Sequence, residues 1–231
     1  MAPGLMPEYF IGEGTLINAL LVFVGGYFGS LFGKYIPHSI KEATLKAFGL
    51  FSFGMAYHLF REGSKANIIE VLACLIIGGV IGYYFDFESN LDKVFLKAFK
   101  NIGSPEGFNT ATIMFCVGPI TILGCIMEGA KAQNSLILSK AIMDGISAVL
   151  LSSSMGRSVA FSSFSILLYQ GSLTYIAYFF KSSISSGSLE NVAFIGACLI
   201  VGLALKLLGI TKDLKLLNFI LSPIIAIFIK S

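Results

Sequence analysis

Charge is what this chain most lacks. Gly14–Gly33, Gly107–Met127 and Ser158–Phe180 run for 20, 21 and 23 residues without an Asp, Glu, Lys or Arg. A helix rises about 1.5 Å per residue and the hydrocarbon core of a bilayer is about 30 Å thick, so each block is long enough to cross it. With 55% apolar residues, 13% charged residues and a mean hydropathy of +0.83, there is too little charge to solvate a soluble fold of this size. The expected architecture is therefore all-α and polytopic, one integral membrane domain over residues 1–231.

Other absences narrow the function. The 16 basic residues form no run, which argues against nucleic-acid binding. Cys74, Cys116, Cys125 and Cys198 show no C-x-x-C spacing and all fall in apolar stretches, so they read as small buried residues rather than a disulfide or metal set. His38 stands beside Pro37 in a loop and His58 near a span end, and neither suggests a metal site. There is no P-loop and no dinucleotide fingerprint, so no nucleotide cofactor is expected. A serine intramembrane protease wants a G-x-S-G-like string, whereas the closest here is Gly145-Ile-Ser-Ala148; an aspartyl one needs two membrane aspartates, and only Asp144 qualifies. The expectation is a non-enzyme without cofactor. Met1–Glu13 has no basic residue and is broken by Pro3 and Pro7, unlike a signal peptide.

What is present divides into about eight spans. Ala47–Phe60, Val71–Phe85, Asn191–Leu205 and Leu216–Ile229 cross if basic side chains at their ends reach the headgroups, and Ser135–Met155 adds another. If the first span starts outside, ten basic residues (Lys34, Lys41, Lys46, Lys93, Lys97, Lys100, Arg157, Lys206, Lys212, Lys215) lie inside and six (Arg61, Lys65, Lys131, Lys140, Lys181, Lys230) outside, which places both termini outside. Residues 90–103 read as an interfacial amphipathic helix, with Leu91, Val94, Phe95, Ala98, Phe99 and Ile102 on one face and Asp92, Lys93, Lys97 and Lys100 on the other.

Glycines Gly25, Gly29 and Gly33 in the first span, and Gly78 and Gly82 in the third, form ladders suited to close helix packing, within the chain or at a homodimer interface. At an offset of 148, Glu42, Gly49, Gly54 and His58 correspond to Glu190, Ala197, Gly202 and Lys206. Residues 14–86 and 159–230 would then be two three-span repeats around central spans 109–156. The displacement of five spans is odd, so the copies would face opposite ways, as in many secondary transporters.

Polar groups in hydrocarbon are expensive, so those stranded mid-span are the candidate site residues. Asp144 is the clearest, separated from Arg157 by twelve uncharged residues, with Lys140 one helical turn earlier. The pair is either an ion or substrate contact or a purely structural ion pair. Gly118-Pro119 should break the fourth span and free carbonyls at membrane depth, or leave a kink satisfied by Thr112 or Thr121. Leu151-Ser-Ser-Ser-Met-Gly-Arg157, with Ser152 and Ser153, is either a polar loop or a broken helix end. Ser147, Asn109, Gln170, Asn18 and Ser172 offer further hydrogen bonds, the single amides with the plainer role of joining helices.

Four strings, Gly14-Thr-Leu-Ile-Asn18, Phe115-Cys-Val-Gly118 with Ile122-Leu-Gly124, Lys140 through Asp144-Gly-Ile-Ser147, and Tyr169-Gln-Gly-Ser172, together resemble the bacterial and archaeal membrane family of domain of unknown function 554, the YqgA/YdfK type. The likeness runs from Gly14 to the end of the chain. It departs at Pro119, where a small residue is the family pattern, and at Met127-Glu-Gly129, where the pattern is Gln-Asp-Gly. The resemblance implies a small integral protein of the prokaryotic cytoplasmic membrane and no particular substrate. The expected function is a secondary transporter of a small solute or ion, with Asp144 holding a coupling cation or proton; the alternatives are a passive channel or a structural or regulatory membrane protein.

Overall fold

The computed structural model describes residues 10–98, 102–116, 119–179, 186–211 and 213–229. Among them every regular element is helical. Helix α1 is Glu13–Gly33, α2 His38–Glu62, α3 Ile68–Phe85, α4 Phe87–Ala98, α5 Pro105–Cys116, α6 Pro119–Lys131 and α7 Ser135–Met155. A 3-10 turn at Arg157–Phe161 leads into α8, Ser162–Phe179; α9 is Ser186–Leu207; a second 3-10 turn at Leu216–Phe219 precedes α10, Ser222–Phe228. Local chemistry sets several ends. The Asn67 side chain accepts from the backbone N–H of Ile69 and Glu70 and so starts α3. Asp86, in the left-handed region at φ 44, stops it. Gly156 takes φ 89, a conformation open to a residue without a Cβ, and turns the chain from α7 into the 3-10 turn.

Five helical segments are long and apolar enough to cross a membrane: Glu13–Gly33, Ile68–Phe85, Ser135–Met155, Arg157–Phe179 and Gly187–Leu207. A sixth forms if Pro105–Cys116 and Ile120–Ala130, bent by 65°, are one broken span. The expectation of eight rests on two further segments that differ in kind. Helix α2 has the length, at 25 residues, but Lys41, Glu42, Lys46, His58, Arg61 and Glu62 dilute its apolar stretch. The C-terminal segment is split between a four-residue 3-10 turn and a seven-residue helix begun by Pro223. The amphipathic helix expected at 90–103 starts earlier, at Phe87, because Asp86 ends α3 directly before it; residues 99–101 lie outside the described residues. Its Phe95 is buried and stacks on Phe108 at 5.0 Å, whereas Val94 is exposed.

The glycines decide how the helices meet. Along α1, Gly25, Gly29 and Gly33 lie in turn against the carbonyls of Gly145, Val149 and Ser153, so α1 and α7 run parallel and in register. A Cβ on Gly25 or Gly29 would collide with those oxygens; on Gly33 it would stand 2.7 Å from one. On another face of α1, Gly26 abuts Ala160, Phe23 meets Phe161 edge-on at 6.1 Å and Asn18 reaches Gln170, so α1 and α8 are antiparallel. Helices α2 and α9 are antiparallel too, with Gly49 against Ala204 and Leu208 and Gly63 against Glu190 and Phe194. So are α3 and the C-terminal segment, where Gly78 meets Ser222 and Gly82 the Asn218 carbonyl. Both ladders thus face inward and are covered within one chain, which removes them as the surface through which a second copy would bind.

Candidate functional site

The site begins with Pro119. In a continuous helix the N–H of residue 119 would donate to the carbonyl of residue 115, and proline has no N–H to give. Helix α5 ends at Cys116, α6 begins at Pro119, and the Phe115 carbonyl, without that N–H, takes its hydrogen bonds in a buried setting. Two side chains satisfy it. Thr121 Oγ1 donates at 3.0 Å and Lys140 Nζ at 2.9 Å. The second call on Lys140 is the Asp144 carboxylate one turn along α7, to which it is ion-paired. Both side chains are buried, each about a tenth exposed.

Asp144 Oδ2 also accepts from Asn18 Nδ2 of α1 at 3.0 Å, and the same amide nitrogen donates to Gln170 Oε1 of α8 at 3.1 Å. The α1–α7 ladder makes this possible: because Gly25 and Gly145 touch, Asn18, two turns earlier on α1, falls level with the Lys140–Asp144 turn. One connected polar group therefore ties α1, α5, α6, α7 and α8 together in the middle of the molecule.

A cavity of about 90 Å³ opens beside this group, enough for several waters or a small solute. Lys140, Asp144 and Ser147 supply its polar wall with Ser52 of α2; Met114, Phe115 and Ile120 from either side of the break, Met55 and Leu59 of α2 and Ile200 of α9 supply its apolar one. Phe51 and Met143, at its rim, are both more than half exposed on the outer surface of α2 and α7. The space thus lies between the broken span, α7 and the antiparallel α2–α9 pair.

The other residues singled out from the sequence are placed as follows. Gln170 joins the network through Asn18, and Thr121 through the Phe115 carbonyl. Asn109 sits about two turns before the break and donates to Asp92 of α4 at 2.8 Å. Thr112 donates to Ser165 of α8 at 3.0 Å. Ser152 and Ser153 bond the carbonyls of Val149 and Leu150 in the last turns of α7, about 12 Å along the axis from Asp144. Neither serine lines the cavity. Gly118 lies outside the described residues. Lys140, counted in the sequence among the outer topology charges, is instead buried against Asp144.

Two participants carried weaker signals. The Phe115 carbonyl is a backbone atom, legible only as the residue four before a proline. Glu128, which stands out in the sequence only within the Met127-Glu-Gly129 string, is fully buried: it accepts from the Gly14 N–H at 2.6 Å, holding the first turn of α1, and from Thr174 Oγ1 at 3.5 Å. Elsewhere Glu70 and Asn191 bond at 2.6 Å where α3 and α9 begin, and Glu88 accepts from Lys206 at 3.3 Å and from the Leu217 N–H at 3.1 Å. Among the described residues no group of three or more His, Cys, Asp or Glu side chains could hold a metal.

The combination of a membrane-length broken helix and a buried Lys–Asp pair can be set against known proteins. A family model described as "Protein of unknown function (DUF554)" matches residues 13–231. The chain belongs to the DUF554 family. Among its relatives, the uncharacterized membrane protein YdfK of Bacillus subtilis (strain 168) is 28% identical over 221 residues, covering 94% of this chain and 96% of the relative. The uncharacterized protein YqgA of Escherichia coli (strain K12) is 24% identical over 207 residues, 85% of this chain and 87% of its own length. The lipoprotein signal peptidase of Bacillus pumilus (strain SAFR-032) is 31% identical over 85 residues, 36% of this chain, which is too little to transfer an activity. No solved structure matches. The DUF554 chain is thus an all-helical membrane protein.

Proposed function

We propose that this DUF554 protein is a secondary transporter of a small solute or ion, working by alternating access around the Lys140–Asp144 cavity. The observation that carries the proposal is the meeting of a broken span, a buried ion pair and a largely apolar cavity with one polar wall at one point. Charged groups and irregular backbone at membrane depth are tolerated where they line a cavity, and transporters place their sites there.

The packing directions support eight crossings. Taking α1 as descending, α7 parallel to it also descends, α8 ascends, α9 descends opposite an ascending α2, and the C-terminal segment ascends opposite α3. Every consecutive crossing then alternates, provided that α5 and α6 together make one ascent. The same contacts support an inverted repeat of residues 14–86 and 159–230: α1 with α8, α2 with α9, and α3 with the C-terminal segment each pack antiparallel, as segments related by a two-fold axis in the membrane plane do. With Lys140 removed from the topology count, ten basic residues remain inside against five outside, favouring both termini outside. In this reading, rocking of the repeats would open the cavity to alternate sides, and no catalytic step is assigned.

Uptake by reconstituted vesicles tests the proposal, using solutes and ions first selected by thermal shift, since a ligand of the folded state raises apparent stability. Wild type should accumulate the selected solute, and Asp144→Asn should lose that accumulation. Equal uptake by both proteins would remove Asp144 from the mechanism.

A further inference from the structure

We propose that the coupling ion is a proton, and that Glu128 is the outer station of a relay passing it to Asp144 between α1 and α8. The inference rests on the transport reading above and concerns how the central carboxylate is reached. The two buried carboxylates contact successive turns of one helix. Glu128 holds the Gly14 N–H and Asp144 holds Asn18, four residues or about 6 Å further along α1. On the facing helix Thr174 touches Glu128, and Gln170, one turn earlier, touches Asn18.

At and between these two anchor points the helices carry unsatisfied polar atoms. Thr15 Oγ1, Asn18 Oδ1 and Gln170 Nε2 have no hydrogen-bond partner among the described residues, and the three residues are 3%, 0% and 0% exposed. Thr15 and Asn18 are three apart and share a face of α1. Unpaired buried polar atoms are costly, and their presence on two helices already joined by the Asn18–Gln170 hydrogen bond is a setting in which buried water is retained. A hydroxyl, an amide oxygen and an amide NH2 together accept from and donate to such water, so a hydrogen-bonded file can form from one carboxylate to the other.

The groups that face the two stations are few. Glu13 of α1 acts on Glu128, which in turn acts on Cys125 of its own helix; Lys140 on its own helix acts on Asp144, which in turn acts on Cys116 of α5. Helix α8 carries no charged residue. The step balances in protons and charge: protonated Glu128 gives its proton to the water file, Asp144 takes one from it, and one carboxylate and one carboxylic acid exist before and after. A neutral Asp144 releases Lys140 from its ion pair, leaving the ammonium to the Phe115 carbonyl and the cavity.

Infrared spectroscopy after a rapid drop in pH tests this on the purified full chain, following the protonated-carboxyl band that Asp144→Asn deletes. Glu128→Gln should leave the final amplitude of that band unchanged and slow its appearance about tenfold or more, in line with the loss of one positioned proton-transfer group; Glu128→Asp should recover most of the rate. Thr15→Val and Gln170→Leu leave the Glu128 carboxylate on α1 intact and should also slow the band, which keeps the test decisive if Glu128→Gln does not fold. An unchanged rate in these variants would reduce Glu128 to a cap on α1, and a wild-type Asp144 that never protonates would remove the relay's acceptor. Neither result touches solute uptake, so failure of the relay is distinguishable from failure of the transport reading.

Discussion

At the scale of single residues, the centre of this molecule follows from one missing hydrogen atom. Pro119 cannot donate to the Phe115 carbonyl, and a carbonyl left bare in a hydrocarbon setting costs several kcal/mol. Lys140 satisfies it, and Asp144 in turn compensates the lysine's charge. Such a pair is poorly replaced one member at a time. Lys140→Met should destabilise the protein by about 3–5 kcal/mol in thermal unfolding in detergent, because it strands a buried carboxylate, whereas Lys140→Met combined with Asp144→Leu should recover most of that loss. Equal stability of the single variant and wild type would show that the pair is not desolvated. From the sequence, Asp144, Lys140 and Ser147 stand out by being polar in apolar surroundings. The grouping with Asn18 and Gln170 was out of reach, since it depends on which faces of α1, α7 and α8 touch, and periodicity along one helix cannot name its neighbour.

At the scale of elements, the glycine ladders act as spacers whose partners are main-chain atoms. Gly29→Ala and Gly82→Ala each place a methyl group on a carbonyl oxygen, of Val149 and of Asn218, that cannot move without shifting a helix. Each should cost about 1–3 kcal/mol, read as a lower unfolding temperature. Gly54 and Gly171 have nothing within 4 Å of the equivalent position. Alanine there should be neutral or stabilising by roughly 0.5–1 kcal/mol, because it removes backbone freedom from the unfolded chain; a comparable loss at all four sites would show that contact with the facing carbonyls does not set the effect. The ladders were legible as packing motifs because small residues at four-residue spacing leave a groove. Their partners were not, since a groove fits any close helix, in the same chain or another. Helix α7 has the bounds expected from its apolar stretch, Ser135–Met155, while α2 and the C-terminal segment were expected as apolar blocks and take different forms around their charges and Pro223.

At the scale of the whole molecule, the outer elements are joined by pairs distant in sequence. Asp86, which ends α3, bonds Lys215 before the C-terminal segment at 2.8 Å, and Lys215 also donates to Ser89 at 2.9 Å. The hydrogen bond from Lys215 holds the Asp86 carboxyl down at about 2, from an ordinary 3.8, and the lysine is correspondingly raised. A carboxyl lowered by folding contributes stability that is complete above its unfolded value and is lost as pH falls toward its folded one. The unfolding temperature of wild type should therefore decline more than that of Asp86→Asn between about pH 4 and 2, and the two curves should run parallel at neutral pH. Identical acid limbs would show that the pair does not persist in solution.

Composition and the spacing of charge were sufficient, read alone, to make this an all-helical membrane protein, because the cost of placing charge in hydrocarbon leaves long uncharged blocks wherever a chain crosses. The same cost marks Asp144, and the chemistry of proline marks the break beside it. Only the tertiary structure decided that α1 runs parallel to α7, that three pairs of segments pack antiparallel, and that Asn18, Phe115, Lys140, Asp144 and Gln170 converge on one small space. Those outcomes depend on how separate helices pack against one another, and a linear pattern carries each helix's faces without saying which faces meet.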